Sequence, residues 1–166
     1  MIDAFVLTGE IEPKVANNFL SLAAGGLITD LVISSPGGDI GLTLGLFDVI
    51  RMREINTHVV GLAQSAAAVL LQAGKLRTMT DASLLQFHAP DETVTDCQFR
   101  LYTQLVEMVS QRTGLHISEA HGLFDNKFIT ANRALELGLI DEIATPNPMD
   151  PGDTNVMRWI KDGRRR

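Results

Sequence analysis

A serine, a histidine and a pair of glycines carry the chemistry this sequence can offer. Ser65 lies in Gly61-Leu62-Ala63-Gln64-Ser65-Ala66-Ala67-Ala68, after the apolar run His58-Val59-Val60 and before an alanine-rich helical run. A strand, a tight turn, a serine and a helix expose a nucleophilic hydroxyl where the first helical N–H groups have no intrahelical partner. Those donors and the helix dipole can stabilise charge developing beside the serine. The competing reading is that Ser65 merely caps the helix, since serine is a favoured N-cap. A serine hydroxyl also needs a base to take its proton. His88 is the candidate, because it sits where a strand ends and Pro90 keeps the chain before it extended. Of the other histidines, His58 lies inside an apolar strand, and His116 and His121 lie in a polar helical region. A histidine at a strand end can equally be structural. The turn Pro36-Gly37-Gly38 is the third feature. Glycines there let backbone N–H groups approach a bound carbonyl, with the N–H of Ala66 as a second donor; an ordinary tight turn before a helix is the alternative.

The elements that must position these residues follow from periodicity. Short apolar runs predict strands over 4–7, 30–34, 59–62, 76–80, 84–87 and 139–143. Residues 13–24 read as a helix with Val15, Phe19, Leu20 and Leu22 at helical spacing, stopped by Gly25-Gly26. Residues 39–53 read as another, with Ile40, Leu44, Phe47 and Ile50 at the centre of its apolar face. The helix after Ser65 is expected to reach Gly74. The longest helix, 97–112, sets Phe99, Tyr102, Leu105, Val106 and Val109 on one face, which is expected to be buried between subunits. Shorter helices are expected over 118–124 and 131–137, the latter capped by Thr130 and ended by Gly138. Residues 91–95 read as a polar loop. Strands that alternate with helices indicate an α/β fold with mostly parallel pairing, in which sites form at the carboxyl ends of strands. Ser65, His88 and the glycine pair all sit at such ends.

Bulk properties narrow the function. The 166 residues suffice for one domain with a substantial core. Domain residues 1–144 are expected to be followed by a loosely attached tail over 145–166. A net charge of −6 argues against a nucleic-acid binder. The basic cluster Arg164-Arg165-Arg166 reads as a solvated end. One cysteine, Cys97, permits no internal disulfide and has no cysteine partner for a metal site. No cofactor or metal is expected, nor any contact with membrane. A cytoplasmic location is expected.

Taken together, Ser35-Pro36-Gly37-Gly38, Gly61-x-Ala63-x-Ser65, Phe87-His88-x-Pro90 and Phe128-Ile129-Thr130-Ala131 with Ala134-x-x-x-Gly138-Leu139-Ile140-Asp141 resemble the proteolytic subunit of the ATP-dependent Clp protease. Order and rough spacing match over 5–143. The resemblance implies a crotonase-like fold of repeated β-β-α turns. It implies a serine endopeptidase acting on unfolded polypeptide, with Ser65 as nucleophile, His88 as general base, and Gly38 with Ala66 as oxyanion donors. It also implies a homo-oligomer, a heptameric ring or double ring, fed by a hexameric AAA+ ATPase.

The sequence departs from that pattern in three places. The family places an aspartate before a basic residue and a phenylalanine. Aligned on Lys127-Phe128, that position holds Asn126, and Asp125 is one residue earlier. The third catalytic member is therefore expected to be Asn126, or Asp125 re-aimed. The chain begins almost at its first strand, so the family's pore-lining N-terminal segment is not expected. The stretch between His88 and Phe128 is shorter than in the family, which suggests a reduced ring-pairing handle. Two further readings stand beside the peptidase: a catalytically weak or inactive ring subunit, and an acyl-CoA lyase or isomerase of the crotonase superfamily.

Overall fold

A computed structural model describes residues 4–90 and 95–144. The expected tail beyond Ala144 and most of the expected polar loop lie outside the described residues. The elements in chain order are β1 (Ala4–Thr8), α1 (Pro13–Ala24), β2 (Asp30–Ser35), α2 (Ile40–Met52), β3 (Asn56–Gln64), α3 (Ala66–Leu71), β4 (Arg77–Thr80), β5 (Leu84–His88), α4 (Asp96–Thr113), α5 (Ile117–Gly122), β6 (Asp125–Thr130), α6 (Ala131–Glu136) and β7 (Glu142–Ala144). The order of the sheet is β1-β2-β3-β4-β7, with β5 also on β3 and β6 on β5. All pairs are parallel except β5–β6.

β3 is the pivot. Thr57, His58 and Val59 pair with β4, whereas Leu62, Ala63 and Gln64 pair with β5. Gly61 falls between the two sets at φ 90°, a conformation glycine adopts without steric cost. Its N–H donates to the Ser83 hydroxyl at 2.8 Å. The kink hands the chain from one partner strand to the other, and it is why β3 is longer than the apolar run alone suggests.

Every residue of α3 is buried, so this short helix forms through packing rather than intrinsic propensity. It ends at Leu71, short of the expected Gly74. α2 buries Thr43, Leu46, Phe47 and Ile50, a stripe rotated from the expected one; Ile40 and Leu44 are only half-buried. α4 buries Tyr102, Leu105, Val106, Met108 and Val109 within the chain itself. The expected subunit-facing surface is thus largely covered by α5 and the core, and Phe99 alone of that set is left exposed, at 58%. Arg77 ties β4 to the segment before β7 by a paired contact with Asp141, 3.1 Å from Nε and 2.6 Å from Nη2. That segment, Leu139-Ile140-Asp141, precedes β7 instead of forming the expected strand.

Candidate active site

Ser65 occupies the sharp turn between β3 and α3 at φ 54°, ψ −126°. This region disfavours any residue with a Cβ and costs about 1–3 kcal/mol. Its hydroxyl makes no capping bond to the helix, so the capping reading fails. The strain is held by the Ser65 N–H donating to the Gln86 carbonyl at 2.8 Å, and by the Ser65 carbonyl accepting from Ala68 at 3.0 Å. The Ser65 side chain is half-buried, and the N–H of Ala66, the first of α3, has no partner among the described residues.

The glycine turn lies against this serine. A Cβ on Gly37 would sit 2.8 Å from the Gln64 carbonyl oxygen and 2.9 Å from the Ser65 Cβ. A Cβ on Gly38 would sit 2.5 Å from the Ile11 oxygen. Both positions have positive φ, 101° and 150°. The turn is anchored through three bonds: the Ile11 N–H donates to the Gly37 carbonyl at 2.8 Å, the Asp39 N–H to the Ile11 carbonyl at 3.0 Å, and the Gly37 N–H to the Ser35 hydroxyl at 3.1 Å. In a parallel bridge of this kind the N–H of Gly38 points away from Ile11, and among the described residues it has no acceptor.

β5 runs parallel to β3 with Gln64 opposite Gln86, so Ser65 and His88 leave the carboxyl ends of neighbouring strands. His88 is exposed, and its Nδ1 lies 3.0 Å from the carbonyl of Ala89. No hydrogen bond among the described residues joins it to Ser65, Asp125 or Asn126.

Periodicity did not predict β6. Its burial pattern is exposed at every position but Ile129, so no alternation marks it; pairing with β5 makes it a strand. That pairing bears on the third member. Leu84, Leu85 and Gln86 face Thr130, Ile129 and Phe128, but His88 faces Asp125, because β6 carries one extra residue at a bulge. Asn126 sits in the bulge at φ 68°, a left-handed conformation asparagine tolerates better than most residues. Asp125, and not Asn126, is thereby set across from His88. Its carboxylate accepts from the Lys127 N–H at 3.1 Å and from Lys127 Nζ. These bonds from Lys127 hold the Asp125 carboxyl below its ordinary range.

Sequence reading passed over two glutamines beside these residues. Gln64 Nε2 donates to Gln86 Oε1 at 2.5 Å, and Gln86 Nε2 donates to the carbonyl of Asn126 at 2.8 Å. No motif signals them, since a strand glutamine is ordinarily solvated. His58 lies at the far end of β3, fully buried, with Nε2 3.0 Å from Asp30 Oδ1 and Nδ1 2.8 Å from Thr78 Oγ1. His116 caps α5. Among the described residues no group of three His, Cys, Asp or Glu could hold a metal ion, and no helix is long and apolar enough to cross a membrane.

The family model described as Clp protease matches residues 5–147. The chain belongs to the Clp protease family. Among curated Clp protease relatives, ATP-dependent Clp protease proteolytic subunit 2 of Streptomyces coelicolor is 32% identical over 71% of this chain and 62% of its own length. Proteolytic subunit 1 of Gloeobacter violaceus is 29% identical over 89% of this chain and 86% of its own length. The chain spans about three fifths of the first relatives it matches, 62%, 58% and 61% of their lengths. Among solved structures, the ClpP protease catalytic domain of Plasmodium falciparum superposes with a TM-score of 0.77 at 27% identity, covering 84% of this chain and 83% of that one. The fold is therefore the α/β, mostly parallel, crotonase-like fold of the Clp proteases.

Proposed function

We propose that this chain is a serine endopeptidase of the Clp proteolytic type, acting on unfolded polypeptide within an oligomeric ring. The observation that carries the reading is Ser65, held at φ 54° with no capping bond beside the N–H groups of Ala66 and Gly38, which have no acceptor among the described residues. In this reading the Ser65 hydroxyl attacks the scissile carbonyl carbon while His88 takes its proton. The Gly38 and Ala66 N–H groups receive the oxyanion, each worth about 3 kcal/mol of barrier. His88 then returns the proton to the leaving amine, and water repeats the sequence to release the acyl group. The register across β5–β6 favours Asp125 over Asn126 as the group that orients His88, once Asp125 exchanges Lys127 for the histidine. A heptameric ring or double ring, a hexameric AAA+ ATPase that feeds it, and a cytoplasmic location belong to the same proposal; the curated relatives are named as ATP-dependent.

One observation favours a second reading, a catalytically weak or inactive ring subunit: His88 contacts its neighbour's carbonyl, and Asp125 is engaged by Lys127. Intact mass after a fluorophosphonate separates the two. A single adduct on the wild type that vanishes in Ser65→Ala supports the peptidase; no adduct on the folded, assembled wild type rejects it. Peptidase rates then assign the third member. Asp125→Ala should lower turnover by about 10²-fold or more, and Lys127→Met, which removes the Nζ contact and leaves only the backbone N–H at 3.1 Å on Asp125, should raise it. A loss confined to substitutions of Asn126 would assign the role to that residue instead.

A further inference from the structure

The two glutamines form a one-way relay across three adjacent strands, β3, β5 and β6. A carbonyl can only accept, so the Gln86 amide must turn its NH2 toward Asn126 and its oxygen toward Gln64, whose NH2 must donate. Gln86 is 9% exposed, and its amide makes one hydrogen bond at each end. Gln64 directly precedes Ser65, and Gln86 stands two residues before His88. The acceptor at the far end is the carbonyl of the bulge residue itself. Regular pairing continued from Gln86–Phe128 would set Asn126 across from His88, whereas the bulge sets Asp125 there. The bulge needs Asn126 at φ 68°, a conformation asparagine tolerates but glycine adopts more freely, so contacts from outside β6 add to its hold.

We infer that Gln86, braced by Gln64, is a positioning residue that pins the Asn126 bulge and so selects Asp125 as the residue facing His88. The inference rests on the serine-peptidase reading and deepens it. The relay also couples the three strand ends: a shift of β6 would be felt at the residue before Ser65.

The test uses the full-length protein in its assembled form. Gln86→Leu, which removes the relay without a polar group, should lower kcat at least 10-fold and leave KM within about 2-fold, because it disturbs orientation and not binding. Gln86→Glu supplies a signature that a packing role would not. Its carboxylate would oppose the Asn126 carbonyl, but its protonated form can both accept from Gln64 and donate to Asn126. The ratio of Gln86→Glu to wild-type kcat should therefore rise as pH falls from 8 to 6. Adding Asn126→Gly, which favours the left-handed bulge unaided, should restore most of the activity lost in Gln86→Leu. Unchanged kcat in Gln86→Leu, or a ratio that is flat with pH, overturns the inference. Hydrogen exchange of the peptide spanning 124–128 separates this from the wider reading. If the wild type takes no fluorophosphonate, the peptidase reading falls by itself. Faster exchange there in Gln86→Leu still supports the hold on the bulge, and unchanged exchange overturns it.

Discussion

Ser65 stores backbone strain that its neighbours must hold. A residue with a Cβ at φ 54°, ψ −126° carries a penalty glycine does not. Ser65→Gly should consequently melt above Ser65→Ala, by the equivalent of about 1 kcal/mol, while both lose the fluorophosphonate adduct. Differential scanning calorimetry of the two variants checks this, and equal melting would show the turn to be unstrained. Gly38 is constrained from the other direction. A methyl group there would sit 2.5 Å from the Ile11 oxygen and 2.6 Å from its nitrogen, both backbone atoms with little freedom to move. Gly38→Ala should lower turnover by at least 10²-fold with the serine intact, since the turn must shift and carry its N–H with it. A single-turnover peptidase assay measures it. The types of these residues, and their places at strand ends, could be read from sequence. Their φ angles could not, because they depend on Ile11 and Gln86, distant in the chain.

At the level of elements, α4 and β6 show where periodicity stops. The stripe from Tyr102 to Val109 was legible, but its destination was not: it packs inside the chain against α5, with Tyr102 meeting Phe124 edge-on at 5.3 Å and His121 at 5.9 Å. Phe124 in turn touches Phe87 at 5.1 Å. An aromatic line thus runs from α4 to the residues that precede Asp125 and His88. The Tyr102 hydroxyl is buried with no hydrogen-bond partner among the described residues, and burial raises its pKa. An orphaned polar atom destabilises, so Tyr102→Phe should leave stability unchanged or raise it by about 1 kcal/mol in urea unfolding. A clear loss would reveal a partner outside the described residues. β6 was missed because its side chains mostly face solvent and only its backbone is committed, to β5.

For the molecule as a whole, the sheet is fastened at the end of β3 away from Ser65 by a buried polar group. His58 holds Asp30 and Thr78, while Asp30 also accepts from Thr29 at 2.5 Å and Asn56 at 3.0 Å. Burial lowers the His58 pKa, against the opposing pull of Asp30. Burial raises that of Asp30, but bonds from His58, Thr29 and Asn56 outweigh it and leave the net shift downward. Both groups bind protons less readily when folded than when unfolded. The stability His58 contributes is present above its unfolded value of 6.5 and is lost as pH falls below it. Asp30 adds a second loss at more acid pH. The free energy of unfolding should decline from pH 7 to 5.5 with a slope of at most about 1.4 kcal/mol per pH unit from one such proton. His58→Gln, tested by urea titration across that range, should be less stable at pH 7 but flatter with pH. A slope as steep as the wild type's would assign the acid sensitivity to other groups.

The sequence by itself determined the class of fold, most of the helices and strands and the family, and it singled out Ser65, His88, Gly38 and Ala66 as candidates with Asn126 or Asp125 as the third member, because those depend on residue types and local spacing. Tertiary structure decided which residues face one another. The bulge in β6 places Asp125 across from His88, and Gln86, a residue of another strand, donates to the carbonyl of Asn126 in that bulge. The kink at Gly61 sends one strand to two partners. Neither is encoded locally, since each arises from hydrogen bonds between strands far apart in the chain.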